Sequence, residues 1–180
     1  GIPGFADEQK RVLAATVNGV RIIDLYVVNG QAVGSEKFAY KLRWLDAVTD
    51  WVREEMQRYP QLVVLGDFNI APLESDVWSH KQLIDVVSHT PIETEGLLRI
   101  QKKGKWVDLL RQHVPAEKKL YTWWSYRAKD WTVGDRGRRL DHMWASPAVA
   151  AAALAHHVHK PCRSWEKPSD HVPLVTEFRI

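Results

Sequence analysis

The spacing of apolar and polar positions changes period several times along the 180-residue chain, and each change marks an element. Arg11–Val17 and Val20–Val28 are rich in β-branched and aliphatic residues and are separated by Asn18-Gly19, so they read as a tight hairpin. From Glu36 to Arg58 the period lengthens. Phe38, Leu42, Leu45, Val48, Val52 and Met56 recur at spacings of three and four, which predicts a helix with one core-facing stripe. Ser35 supplies its N-cap, Glu36 suits its first turn and Pro60 lies just past its end. Leu62-Val63-Val64-Leu65 then gives four consecutive apolar residues, the pattern of a strand buried on both faces. Further on, Thr90-Pro91 opens a helix through Leu97 and Leu98 to near Gly104, and Val107–Leu110 is a shorter apolar segment. Leu140–Ala145 reads as a strand, the alanine-rich run Ala148–Ala155 as a short helix, and Val172–Phe178 as a final strand. Strands with helices between and around them predict an α/β or α+β fold, and no linker, repeat or low-complexity tract divides the chain.

The informative places are where apolar runs break into polar groups. After Leu65 comes Gly66, then Asp67 and Asn69 on one side of the chain, with Pro72 ending the pairing. A carboxylate and a carboxamide at the end of a buried strand suit a metal ion, an activated water or a phosphate. The same residue types also cap loops through backbone hydrogen bonds, and position alone does not choose between the two. Tyr26, Asp141 and the pair Asp170-His171 lie at comparable strand ends. Three carboxylates, an imidazole, a carboxamide and a phenol make a sensible set for metal-assisted phosphodiester hydrolysis. A serine-hydrolase reading fails, because Ser169 cannot form a triad with its own neighbours and no G-x-S-x-G elbow exists. The crowded run His156, His157, His159 and Cys162 matches no standard structural zinc pattern.

Composition narrows the setting. A single cysteine, Cys162, excludes an internal disulfide and fits a reducing compartment. No apolar run approaches a membrane span and the first residues do not resemble a signal peptide, so a cytoplasmic protein without membrane partners is expected. The net charge of +3 leans mildly towards polyanionic partners. Nine tryptophans say more, because several fall among cations in the segment Leu120–Asp141. Trp123, Trp124, Arg127, Lys129, Trp131, Arg136, Arg138 and Arg139 suit a phosphate backbone with unstacked bases. The first part of that segment equally suits a strand with one aromatic face in the core.

Four stretches carry a family resemblance: Leu65–Pro72 (LGDFNIAP), Tyr121–Arg127 (YTWWSYR), Arg139–His142 (RLDH) and Glu166–Leu174 (EKPSDHVPL). Together they resemble the exodeoxyribonuclease III family, the bacterial apurinic/apyrimidinic endonucleases of the endonuclease/exonuclease/phosphatase superfamily, over nearly the whole chain. The glycine–aspartate–asparagine and serine–aspartate–histidine motifs alone would indicate only the superfamily, which also holds sphingomyelinases and inositol-phosphate phosphatases. The resemblance implies a four-layer α/β sandwich of the DNase I-like type, with residues 1–180 as one domain lacking N-terminal strands. It implies Mg²⁺- (or Mn²⁺-) dependent cleavage of double-stranded DNA 5′ to abasic sites, with 3′→5′ exonuclease and 3′-phosphatase activity at 3′ ends.

Residue by residue, the resemblance casts Asp67 as handling the nucleophilic water or the leaving-group proton, oriented by Asn69. Tyr26 would contact the scissile phosphate. His171, paired with Asp141, would bind the phosphate and polarise the water. Asp170 would join Asp67 and Asn69 around the metal. Trp123 and Leu140 would line a sugar pocket, with Trp124, Arg127, Arg136 and Arg138 on the DNA side. Arg138 stands where relatives often carry a bulky apolar residue. The family's principal metal glutamate belongs to an N-terminal segment with no counterpart after Gly1, so a C-terminal part of the fold is expected, a monomer when intact and prone to dimerise or aggregate through open sheet edges if truncated. A module that binds DNA without turnover is the competing expectation.

Overall fold

The structure, a computed structural model, describes residues 1–128 and 130–179. Its frame is a five-stranded mixed sheet. β1 (Val12–Val17) and β2 (Val20–Tyr26) form the hairpin foreseen at Asn18-Gly19, where both turn residues take positive φ. α1 (Glu36–Arg58) crosses back so that β3 (Leu62–Asp67) pairs parallel with β2. Ser35 caps α1 by accepting from the Phe38 N–H. After the short α2 (His80–Leu83) comes α3 (Pro91–Lys103), opened by a Thr90–Glu93 capping box. β4 (Val107–Asp108), the two-stranded pair β5 (Trp123–Trp124) and β6 (Gly137–Arg138), and β7 (Asp141–Ala145) follow. β7 inserts between β3 and β4, antiparallel to both, giving the order β1-β2-β3-β7-β4.

Alternation along β3 shows why four apolar residues stand in a row. Leu62 and Val64 face one way, into a core built with Trp44, Val48 and Val52 of α1 and Leu97 of α3. Val63 and Leu65 face the other way, into a second core shared with Ala153 and Phe178. Those two residues belong to β8 (Ala153–Val158) and β9 (Leu174–Phe178), an antiparallel pair packed on the sheet's other face. The layers described run helix, sheet, sheet, three of the four layers that the resemblance implied for the α/β sandwich.

One element departs from expectation. Helix α4 spans only Pro147–Ala150, and from Ala153 the alanine-rich run becomes β8. Alanine favours helix intrinsically, but pairing with β9 and burial against the second core outweigh that preference. His156 and His157 therefore sit in a strand, with His156 Nδ1 bonded to the Thr176 hydroxyl. Among the described residues no helix is long and apolar enough to cross a membrane.

Candidate active site

β2, β3 and β7 end together, and their register lines up three polar residues. Tyr26 is the partner of Asp67, and Asp67 is the partner of Asp141. Parity sets their direction: Asp67 shares a face with Val63 and Leu65, Asp141 with Met143 and Ala145, and Tyr26 with Val20 and Ile22. All three sit on the face covered by β8 and β9, at its open end. Gly66 makes the approach possible, since its φ is +124° and a Cβ there would collide with the Leu25 carbonyl oxygen.

His171 arrives on the segment that leads into β9, held by an isolated antiparallel bridge to Trp123. Its Nδ1 lies 2.8 Å and 3.1 Å from the two carboxylate oxygens of Asp141. Nδ1 is therefore the donor, and Nε2 is turned towards Asp67, 3.9 Å from Oδ2. Thr122, fully buried, completes the arrangement: its hydroxyl donates to Asp141 Oδ2 at 2.6 Å and accepts from the Leu140 and Asp141 N–H groups.

Asn69 takes a left-handed backbone (φ +49°), which turns it back onto Asp67. Its N–H donates to Asp67 Oδ1 at 2.9 Å, while its carboxamide donates to Asp67 Oδ2 at 3.0 Å and to the Val27 carbonyl at 2.9 Å. Its remaining oxygen accepts from the Asn29 carboxamide at 2.9 Å. Asn29 and Thr122 escaped the sequence reading. Asn29 is followed by Gly30, as turn residues often are, and Thr122 stands among aromatics. Only the fold shows which side chains they reach.

The electrostatics follow from the crowding. Burial, then the neighbouring Asp141, push the Asp67 carboxyl up to about 6 against pulls from His171 and Asn69. Burial lowers the His171 imidazole, but its hydrogen bond to Asp141 and the charges of Asp141, Asp67 and Asp170 prevail and raise it.

One ligand atom from each of Asp67, Asp141 and His171 lies within 4.8 Å of the others. The two carboxylates fit a divalent cation such as Mg²⁺ or Mn²⁺ as a partial shell, since such ions take oxygen ligands and keep waters and substrate oxygens among them, and the His171 imidazole, donating to Asp141, stands beside that shell. Asp170 is outside this group: its Oδ2 accepts the Trp123 indole N–H at 2.9 Å. Tyr26, about half exposed, stands at the rim under the Arg11 guanidinium, 4.9 Å from its ring centre.

Beside the row lies an open cavity of about 680 Å³ lined by Trp78, Trp123, Trp131, Arg127, Arg136 and Arg138. Arg136 stacks over Trp78 at 4.8 Å and Arg138 over Trp123 at 5.6 Å, so cations and aromatic faces alternate as expected. One expectation is sharpened and one corrected. Trp124 also lines the cavity, but as part of its buried wall: it is 1 % exposed, packed against Tyr121 and Trp131 with its indole N–H on Asp135. Leu140 is buried with Ala71, Val77 and Leu83 beneath Trp123, supporting the cavity from below. Trp78, from the polar loop after β3, also takes a place on the face. Lys129 lies outside the described residues.

Comparison with known proteins agrees with this fold. The model of the endonuclease/exonuclease/phosphatase family matches residues 3–171. Exodeoxyribonuclease III of Haemophilus influenzae is 27% identical over 184 aligned residues, which cover 96% of this chain and 68% of that protein. Among solved structures, the 3′ phosphatase NExo from Neisseria, bound to a product DNA hairpin, superposes with a TM-score of 0.94 at 41% identity, covering 100% of this chain and 69% of that one. An AP endonuclease from Archaeoglobus fulgidus gives a TM-score of 0.89 at 32% identity, covering 94% of this chain and 65% of that one. The chain spans about two-thirds of the length of each of these relatives.

Proposed function

The chain belongs to the endonuclease/exonuclease/phosphatase family, and from that premise we propose that the protein is a DNA-repair nuclease that hydrolyses phosphodiester and phosphomonoester bonds with a divalent metal, Mg²⁺ or Mn²⁺. Its substrates are duplex DNA with abasic sites, cleaved on the 5′ side, and 3′ ends bearing a phosphate or a nucleotide to be removed. The observation that carries this reading is the row Tyr26–Asp67–Asp141 with His171 closing over it, beside a face of alternating tryptophan and arginine.

Asp67, a carboxyl titrating at about 6, accepts a proton from the water as its oxygen bonds to phosphorus, and that proton can pass on to the leaving oxygen as the P–O ester bond breaks. Asn69 holds that carboxylate in one orientation through both its amide groups. His171 presents Nε2 to a phosphate oxygen while Asp141 fixes its tautomer and stabilises its charge. Tyr26 contacts the same phosphate from the rim. Asp67 and Asp141, with Asp170 and Asn69 in support, would hold the metal, which when bound neutralises phosphate charge and makes water more acidic, while His171 stays on the phosphate. Trp123, Arg136, Arg138 and Arg127 take the DNA backbone and unstacked groups.

The test is turnover by the full-length protein on three duplexes carrying an abasic analogue, a 3′-phosphate or a plain recessed 3′ end, with Mg²⁺ or with chelator. Metal-dependent cleavage of these supports the proposal. Inertness on all three together with hydrolysis of an inositol phosphate or a phospholipid headgroup overturns it.

A further inference from the structure

A side chain that is costly to bury lies close to the site, and the chemistry above does not use it. Lys41 of α1 is completely buried, and its ammonium has three protons to satisfy. It donates to the carbonyl oxygen of Asn69 at 2.9 Å, to that of Asn29 at 3.2 Å, and to Glu93 Oε1 at 2.5 Å. Glu93, equally buried, spends its other lone pairs on the Ser88 and Thr90 N–H groups and the Thr90 hydroxyl. Ser88 in turn accepts from the N–H of Ala71. One ion pair therefore grips three separate loops: the end of β2, the end of β3 and the entry to α3.

The two carbonyls it chooses belong to the two asparagines whose carboxamides bond each other, and through Asn69 the bond continues to Asp67. Asn69 holds a left-handed backbone that only a well-anchored loop sustains. An apolar pair of the same volume could fill the space and leave both loops free to choose other conformers.

We propose that Lys41, paired with Glu93, is a positioning residue for catalysis: by anchoring the main chain of Asn29 and Asn69 it sets the direction in which Asn69 presents the Asp67 carboxylate. The inference rests on the nuclease reading above, and part of its test is independent of activity.

The experiment uses the full-length protein with Lys41→Met/Glu93→Gln, a variant that leaves no charge unpaired, alongside Lys41→Met alone and Lys41→Arg. In the double variant, turnover on the 3′-phosphate duplex should fall about 10- to 100-fold with KM changed by less than about twofold, the split expected when ground-state binding is kept and orientation lost. The carboxamide resonances of Asn29 and Asn69 in nitrogen–proton correlation spectra should move or broaden, and Lys41→Arg should recover part of the rate. Should Lys41→Met alone unfold, the double variant decides. A folded double variant with turnover within twofold of the parent overturns the proposal, and so does a loss of turnover with both carboxamide signals unmoved. If the parent protein is inert on DNA, the nuclease reading falls while the spectra still test the anchor.

Discussion

Asp141 holds His171 by both of its carboxylate oxygens, at 2.8 Å and 3.1 Å from Nδ1, and so decides which ring nitrogen faces the site. The consequence is directional. Nε2 points at Asp67, and any phosphate oxygen entering between them meets a donor whose charge is supported from behind. His171→Ala removes that donor and Asp67→Ala the base. Each should lower turnover of the full-length protein by about 10²–10⁴-fold. Neither residue lies on the Trp/Arg face, so DNA affinity should change little. Steady-state turnover and direct binding of a non-cleavable duplex check this together, and a loss of affinity proportional to the loss of rate would show the roles to be misassigned.

The raised Asp67 gives a stability signature with a definite sign. Its carboxyl titrates at about 6 in the folded protein against an ordinary 3.8, so between those values the native state holds the proton that the unfolded chain has released. That contribution is greatest below about pH 4 and is lost as pH rises through 6. The raised His171 acts in the same direction, whereas burial lowers His142 and His156 to about 4 and makes them act oppositely. The clean measurement is therefore a difference. Without metal, Asp67→Asn should gain about 1–3 kcal/mol on the parent between pH 4 and pH 8 in urea unfolding. A constant difference across that range would mean that Asp67 is not perturbed.

The same titration governs metal. At pH 8, where Asp67 is ionised, added Mg²⁺ or Mn²⁺ should raise the melting temperature in a concentration-dependent way, and at pH 5 the rise should shrink. Replacing Asp67 and Asp141 together by asparagine should abolish it at both values, since both convergent carboxylates lose their charge. Scanning calorimetry over a metal series decides the point; an equal rise in the double variant would place the ion elsewhere.

How much of this was legible beforehand varies with range. Helix α1 declared itself fully, because a cap, a stripe and a terminating proline are all local signals within residues 35–60. The strand Leu62–Asp67 did too, and its double-sided burial is visible in four consecutive apolar residues. What the chain order conceals is partnership. Thr122, Asn29 and Lys41 are ordinary residues until a partner 19, 40 or 52 positions away is brought to them. Ala153–Val158 misled for a related reason: its helix preference is local, whereas its pairing with β9 is not. Trp124 and Trp123 are neighbours in one strand, and one position separates a fully buried indole from one that is partly open to the cavity both line.

Arg136 and Trp123 should act on DNA binding in distinguishable ways. Arg136 is exposed and stacked on Trp78, so it is available to a phosphate, and Arg136→Ala should reduce the slope of log affinity against log salt by about 0.9. Trp123 offers an uncharged face. Trp123→Ala should weaken binding by about 1–3 kcal/mol without changing that slope, although it also frees Asp170 from its indole partner. Anisotropy titrations of the full-length protein at several salt concentrations separate the two. Equal slopes for parent and Arg136→Ala would remove Arg136 from the phosphate track.

Arg139 carries the sharpest stability prediction. It is 1 % exposed, bonds Asp76 through Nε at 2.8 Å and Nη2 at 3.0 Å, and bonds Asp108 through Nη1 at 2.6 Å. Arg111 also reaches Asp76, so two guanidinium groups balance two buried carboxylates. Arg139→Leu preserves much of the volume but leaves Asp108 with no cation and Asp76 with one, at a cost of about 3–5 kcal/mol. Arg139→Lys keeps the charge yet cannot reproduce the two-pronged contact with Asp76, so it should fall between the parent and leucine. Because Arg139 immediately precedes Leu140 and Asp141, a variant that still folds should also lose turnover through a displaced Asp141–His171 pair. Urea unfolding of the three proteins measures the first effect, with Arg136→Leu as a surface control expected within about 0.5 kcal/mol of the parent. If Arg139→Leu matched that control, the buried network would be contributing nothing to the fold, and the anchoring of β7 would have to come from the β3 and β4 pairings alone.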